Sequence, residues 1–336
     1  MKCIFTASVK TASMKKDSMK KWINIISITA LTITGALAIN SQPQAQEQKK
    51  IKIVTTIGEI TDATRIIGGD HVLVSALMGP GVDPHLYKAS ASDVTKLAEA
   101  DMILYNGLNL EANMAAMFER LKRSKTTVAL AEADPVELRL ESLDAKGYYD
   151  PHVCFDVELW QHVVERIAQT LGEYDPEHEE EYKERAGAYW ASLTELHEYV
   201  ATRAQELPET QRVLVSAHNA FRYFGRKYGF ETIGLQSDNT QMPMGTNDVT
   251  RLADFIIKRK IRAIFVESSL PDGSIKAVQD AARQRGWDVA IVWTLYADAI
   301  GSDGTFEGTY IGAGTHNIDT IVNALKTSST QPMINK

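Results

Sequence analysis

The chain has 336 residues, 24% of them charged and 44% hydrophobic, and a formal net charge of −7. This is a globular composition, long enough for two lobes each with its own core. The acidic balance argues against a partner with a phosphate backbone, and only two cysteines, Cys3 and Cys154, exclude a disulfide framework or a CxxC metal site.

Residues 1–45 hold six lysines and one acid, a leader charge of +5 that leaves the remainder near −12. From Met19 the sequence reads MKKWINIISITALTITGALAINSQPQAQ: a basic head, an apolar run from Trp22 to Ile39, then small residues at Ala36, Ala38 and Ala45. Those are the three parts of a secretory signal. A retained membrane anchor is the competing reading, but the run is short and diluted by Asn24, Ser27, Thr29, Thr32 and Thr34. Cleavage is expected, and Cys3 goes with the leader. Residues 1–18 read as an upstream extension, with Met1 and Met19 both possible starts. No cysteine closes the apolar run, so the expected product is soluble and periplasmic, without a lipobox.

After a polar leader at 46–50, short β-branched runs alternate with helical stretches. Strands are predicted at 51–56, 71–78, 101–106 and 126–130, with helices at 59–67, 90–100 and 110–121 between them. Ser90 or Ser92 caps the second helix, whose apolar face is read as Val94, Leu97 and Ala98. Residues 156–172 read as a helix closed by Gly172. Asp175-Pro176 then starts a long polar helix to about Gln205, ended by Pro208. Its apolar positions Tyr182, Ala186, Tyr189, Leu193, Leu196 and Val200 fall at intervals of three and four, one narrow stripe on a strut between lobes. The alternation restarts with strands at 212–217, 230–235, 263–267 and 288–293 and helices at 220–228, 247–258, 275–285 and 317–325. Strands alternating with helices argue for parallel sheets. The predicted organisation is an extension and signal at 1–45, an α/β lobe at 46–173, a linking helix at 174–207 and a second α/β lobe at 208–336.

Three of the eight histidines share one setting. His85 (GPGVDPHLYKAS), His152 (YYDPHVCFDVELW) and His218 (LVSAHNAFRYF) stand at a strand's C-terminal end or in the loop leaving it, as does Asp298 (LYADAIG). Open α/β sheets bind ligands there, and imidazole suits borderline first-row metals. Separations of 67, 66 and 80 residues are too long for a local metal motif, so such a site would be assembled in space. His71, His162, His178, His197 and His316 are read as structural or solvated, with His178 on an exposed helix face and His316 capping the last helix. Cys154 is read as a small buried apolar group rather than a thiolate ligand.

At these residues the chain resembles the cluster A-I, or TroA-like, metal-binding receptors of ABC importers. The resemblance is carried by 81–111 (GVDPHLYKASASDVTKLAEADMILYNGLNLE), 148–160, 213–230 and 294–301, with 308–325 similar to the family's C-terminal helix. It implies two Rossmann-like (β/α) lobes joined by one long rigid helix, and a metal in the cleft between them. It also implies four metal ligands: His85 and His152 from the first lobe, His218 and Asp298 from the second. The chain departs from the family's pattern at Trp293, at Gly312-Ala313-Gly314 and at Cys154-Phe155. Trp293 directly precedes the stretch bearing Asp298 and is expected to bear on its placement. Residues 112–147 contain no histidine, unlike the family's zinc specialists with a histidine-rich loop.

Three imidazoles and a carboxylate suit Zn2+ in a tetrahedral set. Mn2+ prefers more oxygen, which a bidentate Asp298 supplies, and Fe2+ is a third candidate. The resemblance implies a periplasmic receptor, monomeric, that delivers metal to an inner-membrane permease and its ATPase. The rival readings are a zinc metallohydrolase or hydratase with a three-histidine centre and a surface adhesin.

Overall fold

The computed structural model describes residues 49–242 and 244–326; the export segment read at 19–45 lies outside them. No helix of the described residues is long and apolar enough to cross a membrane.

The N-terminal part carries β1 (Ile51–Thr55), α1 (Gly58–Gly68), β2 (Val72–Ala76), α2 (Ala91–Glu99), β3 (Met102–Tyr105), α3 (Ala115–Leu121) and β4 (Thr126–Ala129). Its four strands form one parallel sheet in the order β2-β1-β3-β4. β3 is buried throughout, as a parallel strand covered on both faces must be. Ser90 starts α2 with a reciprocal capping box to Asp93. That box turns Asp93, Leu97 and Ala100 inward and leaves Val94 and Ala98 exposed, so the helix shows a different face from the one expected.

α4 (Val157–Tyr174) and α5 (Glu179–Gln205) form an antiparallel pair. Gly172 lies inside α4 rather than closing it, and marks a close approach to the returning helix: a Cβ there would stand 2.7 Å from Glu179 Cγ. α5 has 27 residues, about 40 Å of helix. Its buried residues are Tyr182, Ala186, Tyr189, Leu193, Leu196, Val200 and Ala204, the predicted stripe extended by one position.

The C-terminal part carries β5 (Val213–His218), α6 (Arg222–Tyr228), β6 (Glu231–Gln236), α7 (Thr246–Arg259), β7 (Ala263–Glu267), α8 (Gly273–Arg283), β8 (Ala290–Leu295) and α9 (Tyr310–Lys326). β5 pairs with β6 and β7 with β8, both parallel. α9 starts seven residues before the predicted Asn317. Gly312 and Gly314 are poor helix formers, which hides this first turn in the sequence. Packing overrides the propensity: a Cβ on Gly312 would meet the Phe306 carbonyl at 1.7 Å, and one on Gly314 would meet Leu196 of α5 at 3.2 Å.

Each part has a private apolar cluster, around Ile103 and Phe118 in the first and around Ile264 and Val278 in the second. A third, larger cluster runs from Ile53 through Trp160 and Leu193 to Phe265 and Ile321, so the two lobes also share one core. Tyr310 fastens the seam. Its ring stacks on Trp160 with centroids 4.9 Å apart, its hydroxyl donates to the Cys154 carbonyl at 2.6 Å, and its amide donates to Asp62 Oδ2 at 2.9 Å.

Candidate metal centre

His85 lies in the loop leaving β2, His152 in the turn before α4, His218 at the last position of β5 and Asp298 in the loop leaving β8. The fold brings all four together, buried, with their ligand atoms within 4.8 Å of one another. His152 Nε2 is 3.3 Å from His85 Nε2 and 3.3 Å from His218 Nε2. Asp298 Oδ1 is 3.2 Å from His152 Nε2, and Asp298 Oδ2 is 3.2 Å from His218 Nε2 and 3.9 Å from His85 Nε2. Trp293 does not disturb this. It stands half exposed with Lys276 Nζ 5.7 Å over its ring, and Asp298 reaches the cluster.

Each histidine is held by a carboxylate that the sequence reading passed over. The His85 amide donates to Asp83 Oδ1 at 2.8 Å and the His152 amide to Asp150 Oδ1 at 3.0 Å, the same turn built twice from the tripeptide Asp-Pro-His. The His218 amide donates to Glu267 Oε1 at 3.0 Å. His152 Nδ1 lies 2.7 Å from Asp150 Oδ1, and His218 Nδ1 contacts Glu267 Oε2. A carboxylate can only accept, so both Nδ1 atoms donate and both Nε2 atoms turn inward. The repeated Asp two residues before His was the available signal for the first two carboxylates. Glu267, the one charge closing the apolar run AIFVE, was the signal for the third.

Further polar contacts tie the opposing walls. Thr240 Oγ1 donates to Asp83 Oδ2 at 2.7 Å, and Arg222 Nη1 lies 3.1 Å from Asp150 Oδ2. Tyr223 of α6 donates its hydroxyl to the Asp150 carbonyl at 2.9 Å.

Burial pushes the His85 imidazole down to about 3, so it is neutral near pH 7. Burial also opposes a charge on His152, but Asp150 and Asp298 outweigh it and hold this imidazole up at about 9. Burial works against charge on His218 too, and Glu267 and Asp298 raise it well above the usual histidine range. Asp298 is desolvated, yet His218 and His152 keep its carboxyl well below the usual carboxylate range. Its Oδ2 is buried and, although 3.2 Å from His218 Nε2, makes no well-aligned hydrogen bond. Buried lone pairs converging on one point are costly unless a cation or protons sit among them.

Cys154 stays outside the cluster, and burial pushes its thiol well above the usual range. His162 bonds Asp134 Oδ1 at 3.0 Å and His197 bonds the Tyr228 hydroxyl at 3.1 Å. His316 is not a cap: it sits inside α9 with Nε2 2.9 Å from the Thr294 carbonyl oxygen. His178 is half-buried rather than exposed, and its ring stacks on His71.

A family model described as "zinc-uptake complex component A periplasmic" matches residues 53–324. The chain is 48% identical over 288 residues to the zinc-binding protein TroA of Treponema pallidum, covering 86% of this chain and 92% of that protein. It is 42% identical over 294 residues to the manganese-binding lipoprotein MntA of Bacillus subtilis, covering 88% and 95%. The solved structure of periplasmic zinc-binding TroA from Treponema pallidum superposes with a TM-score of 0.81 at 49% identity, covering 82% of this chain and 99% of that one. With a family model spanning nearly all described residues and the two-lobe architecture shared with a solved member, the chain belongs to the zinc-uptake complex component A, or cluster A-I, family of metal-binding solute-binding proteins.

Proposed function

We propose that this protein is the periplasmic receptor of an ABC importer and captures one divalent transition-metal ion through His85, His152, His218 and Asp298. The observation that carries the reading is the spacing of the donor atoms. A tetrahedron with metal–ligand bonds of about 2.0–2.1 Å has edges of about 3.3–3.4 Å. Four of the donor-to-donor distances are 3.2–3.3 Å. A fifth, His85 to Asp298, is 3.9 Å, and all four ligand atoms lie within 4.8 Å of one another, so the cargo ion has only a short contraction to impose. Both Asp298 oxygens face the histidines. The set therefore accepts Zn2+ with four donors or Mn2+ with a fifth from the second carboxylate oxygen. TroA and MntA carry these two metals in their names.

The ion is cargo, and the receptor's own groups do the rest. Asp150 and Glu267 orient the imidazoles, burial excludes water, and the protons on the inward Nε2 atoms of His152 and His218, held there by Asp298, must leave before the ion can enter. Four protein donors close the set. A catalytic zinc keeps a position for water, so the three-histidine hydrolase or hydratase reading gains no support. We assign the division of the chain at 46–173, 174–207 and 208–336 to two walls of the cleft and the strut behind them. The delivery partners are an inner-membrane permease with its ATPase, and the receptor acts as a monomer.

The test is elemental analysis of the protein isolated from its native periplasm, followed by competition of Zn2+, Mn2+ and Fe2+ for the metal-free protein. About one ion per chain, held by the wild type and lost from His218→Ala, is the expected result. A chain without bound metal that turns over esters or CO2 when loaded would overturn it.

A further inference from the structure

A second group of potential ligands lies away from the cleft. His71 immediately precedes β2, whereas His85 follows that strand's other end, so the two regions lie beyond opposite ends of the same strand. His71, His178 and Glu181 each offer a ligand atom, and these atoms lie within 4.8 Å of one another. The residues come from two separate places in the chain: the 3-10 turn entering β2, and the 3-10 turn and first turn of α5.

The local geometry is specific. The His71 and His178 rings stack with centroids 3.8 Å apart, and His71 Nε2 lies 2.9 Å from Glu181 Oε2. Asp175 Oδ2 accepts from the Tyr182 hydroxyl at 2.7 Å and lies 2.7 Å from His178 Nδ1. Asp175 therefore fixes the His178 ring, as a supporting carboxylate does for a metal-bound imidazole. Glu181 also lies 3.1 Å from Arg185 Nη1, which leaves its carboxylate in place beside the two rings.

We propose that His71, His178 and Glu181 form a second divalent-cation site, of the class that takes Zn2+, which pins the start of α5 to the entry of β2. Two nitrogens and one oxygen suit zinc better than the harder cations. To share one ion the two rings must open from their stack so that their in-plane lone pairs converge, and water completes the coordination. The group is half exposed. It has three protein donors against four in the cleft, so it binds more weakly and exchanges more readily. An ion held there ties together two segments that the chain separates by about a hundred residues, and that tie stabilises the N-terminal lobe.

The experiment titrates chelator-stripped full-length protein with zinc chloride by calorimetry and follows the thermal midpoint in parallel. The expected result is two ions per chain in two steps, with the midpoint still rising after the first equivalent. His71→Ala and, separately, His178→Gln should lose the second step and the later rise while keeping the tight first step, which also reports that they fold. Uptake of one ion at excess zinc, or a second step that survives both substitutions, overturns the proposal. Loss of the tight step alone would strike the cleft reading and leave this one standing.

Discussion

His152 Nε2 and Asp298 Oδ1 meet at 3.2 Å although 146 residues separate them and they come from different lobes. The contact sits on the boundary between the lobes, so whatever binds there reports on both walls at once. His152 is also the hub of the group, 3.3 Å from each of the other two histidines.

Removing that hub should be the most damaging single change to metal capture. His152→Ala is expected to weaken zinc binding by more than the roughly 10–100-fold loss typical of a missing supporting carboxylate. Glu267→Gln, which keeps the shape but not the charge beside His218, should fall within that roughly 10–100-fold range. His162→Ala, on the outer face of α4, should change nothing. Competition titration with a chromophoric chelator reads all three, and equal losses across the set would remove the ligand assignment.

Gly234 is the position where one methyl group should reach the centre indirectly. A Cβ there would stand 2.3 Å from the His218 carbonyl carbon and 2.3 Å from the Asn219 amide. A glycine inside a strand marks such a close backbone approach. Gly234→Ala should therefore push the end of β5 away from Glu267, destabilise the protein by about 1–3 kcal/mol as overpacking does, and weaken metal binding. Denaturant melts of the metal-free protein together with zinc titration test this; unchanged binding in a destabilised protein would separate β5 from the site.

Glu59 makes the metal-free protein pH-sensitive. Burial raises its carboxyl to about 8, with its own amide opposing and Asp298 and Asp62 adding to the rise, and Oε2 has no hydrogen-bond partner. Because the folded value lies above the unfolded 4.5, the contribution to stability is full below 4.5 and is lost as pH rises toward 8. At pH 7 the loss is about 3 kcal/mol. Glu59→Gln should recover much of this and flatten the stability profile across that window. Melting curves from pH 4.5 to 8 that run parallel for wild type and variant would refute it.

Metal capture should move the lobes little. The shared apolar cluster, the α5 strut and the Tyr310 fastening all cross the seam that a hinge would have to open. Small-angle scattering should give nearly equal radii of gyration for metal-free and metal-loaded protein, with loading ordering the loops of His85 and Asp298. A large compaction on loading would show that the shared core yields.

Local features of the sequence determined a great deal. The three-and-four spacing from Tyr182 to Val200 located the strut's buried stripe, because a helix's period is a property of the helix alone. The strand-and-helix alternation specified parallel α/β lobes, and the position of His85, His218 and Asp298 at or after a strand's end marked them as one kind of residue, whereas His152 stands in the turn before α4, well past β4. The resemblance in the Asp-Pro-His and Ser-Ala-His-Asn stretches then grouped them. Tertiary structure alone decided the rest. The face α2 buries depends on what covers it, and the first turn of α9 forms because Gly312 and Gly314 fit against Phe306 and Leu196. The supporting role of Glu267 and the meeting of His71 with His178 arise from contacts 49 and 107 residues apart. Such contacts leave no periodic trace in a chain, since only packing brings their partners within reach.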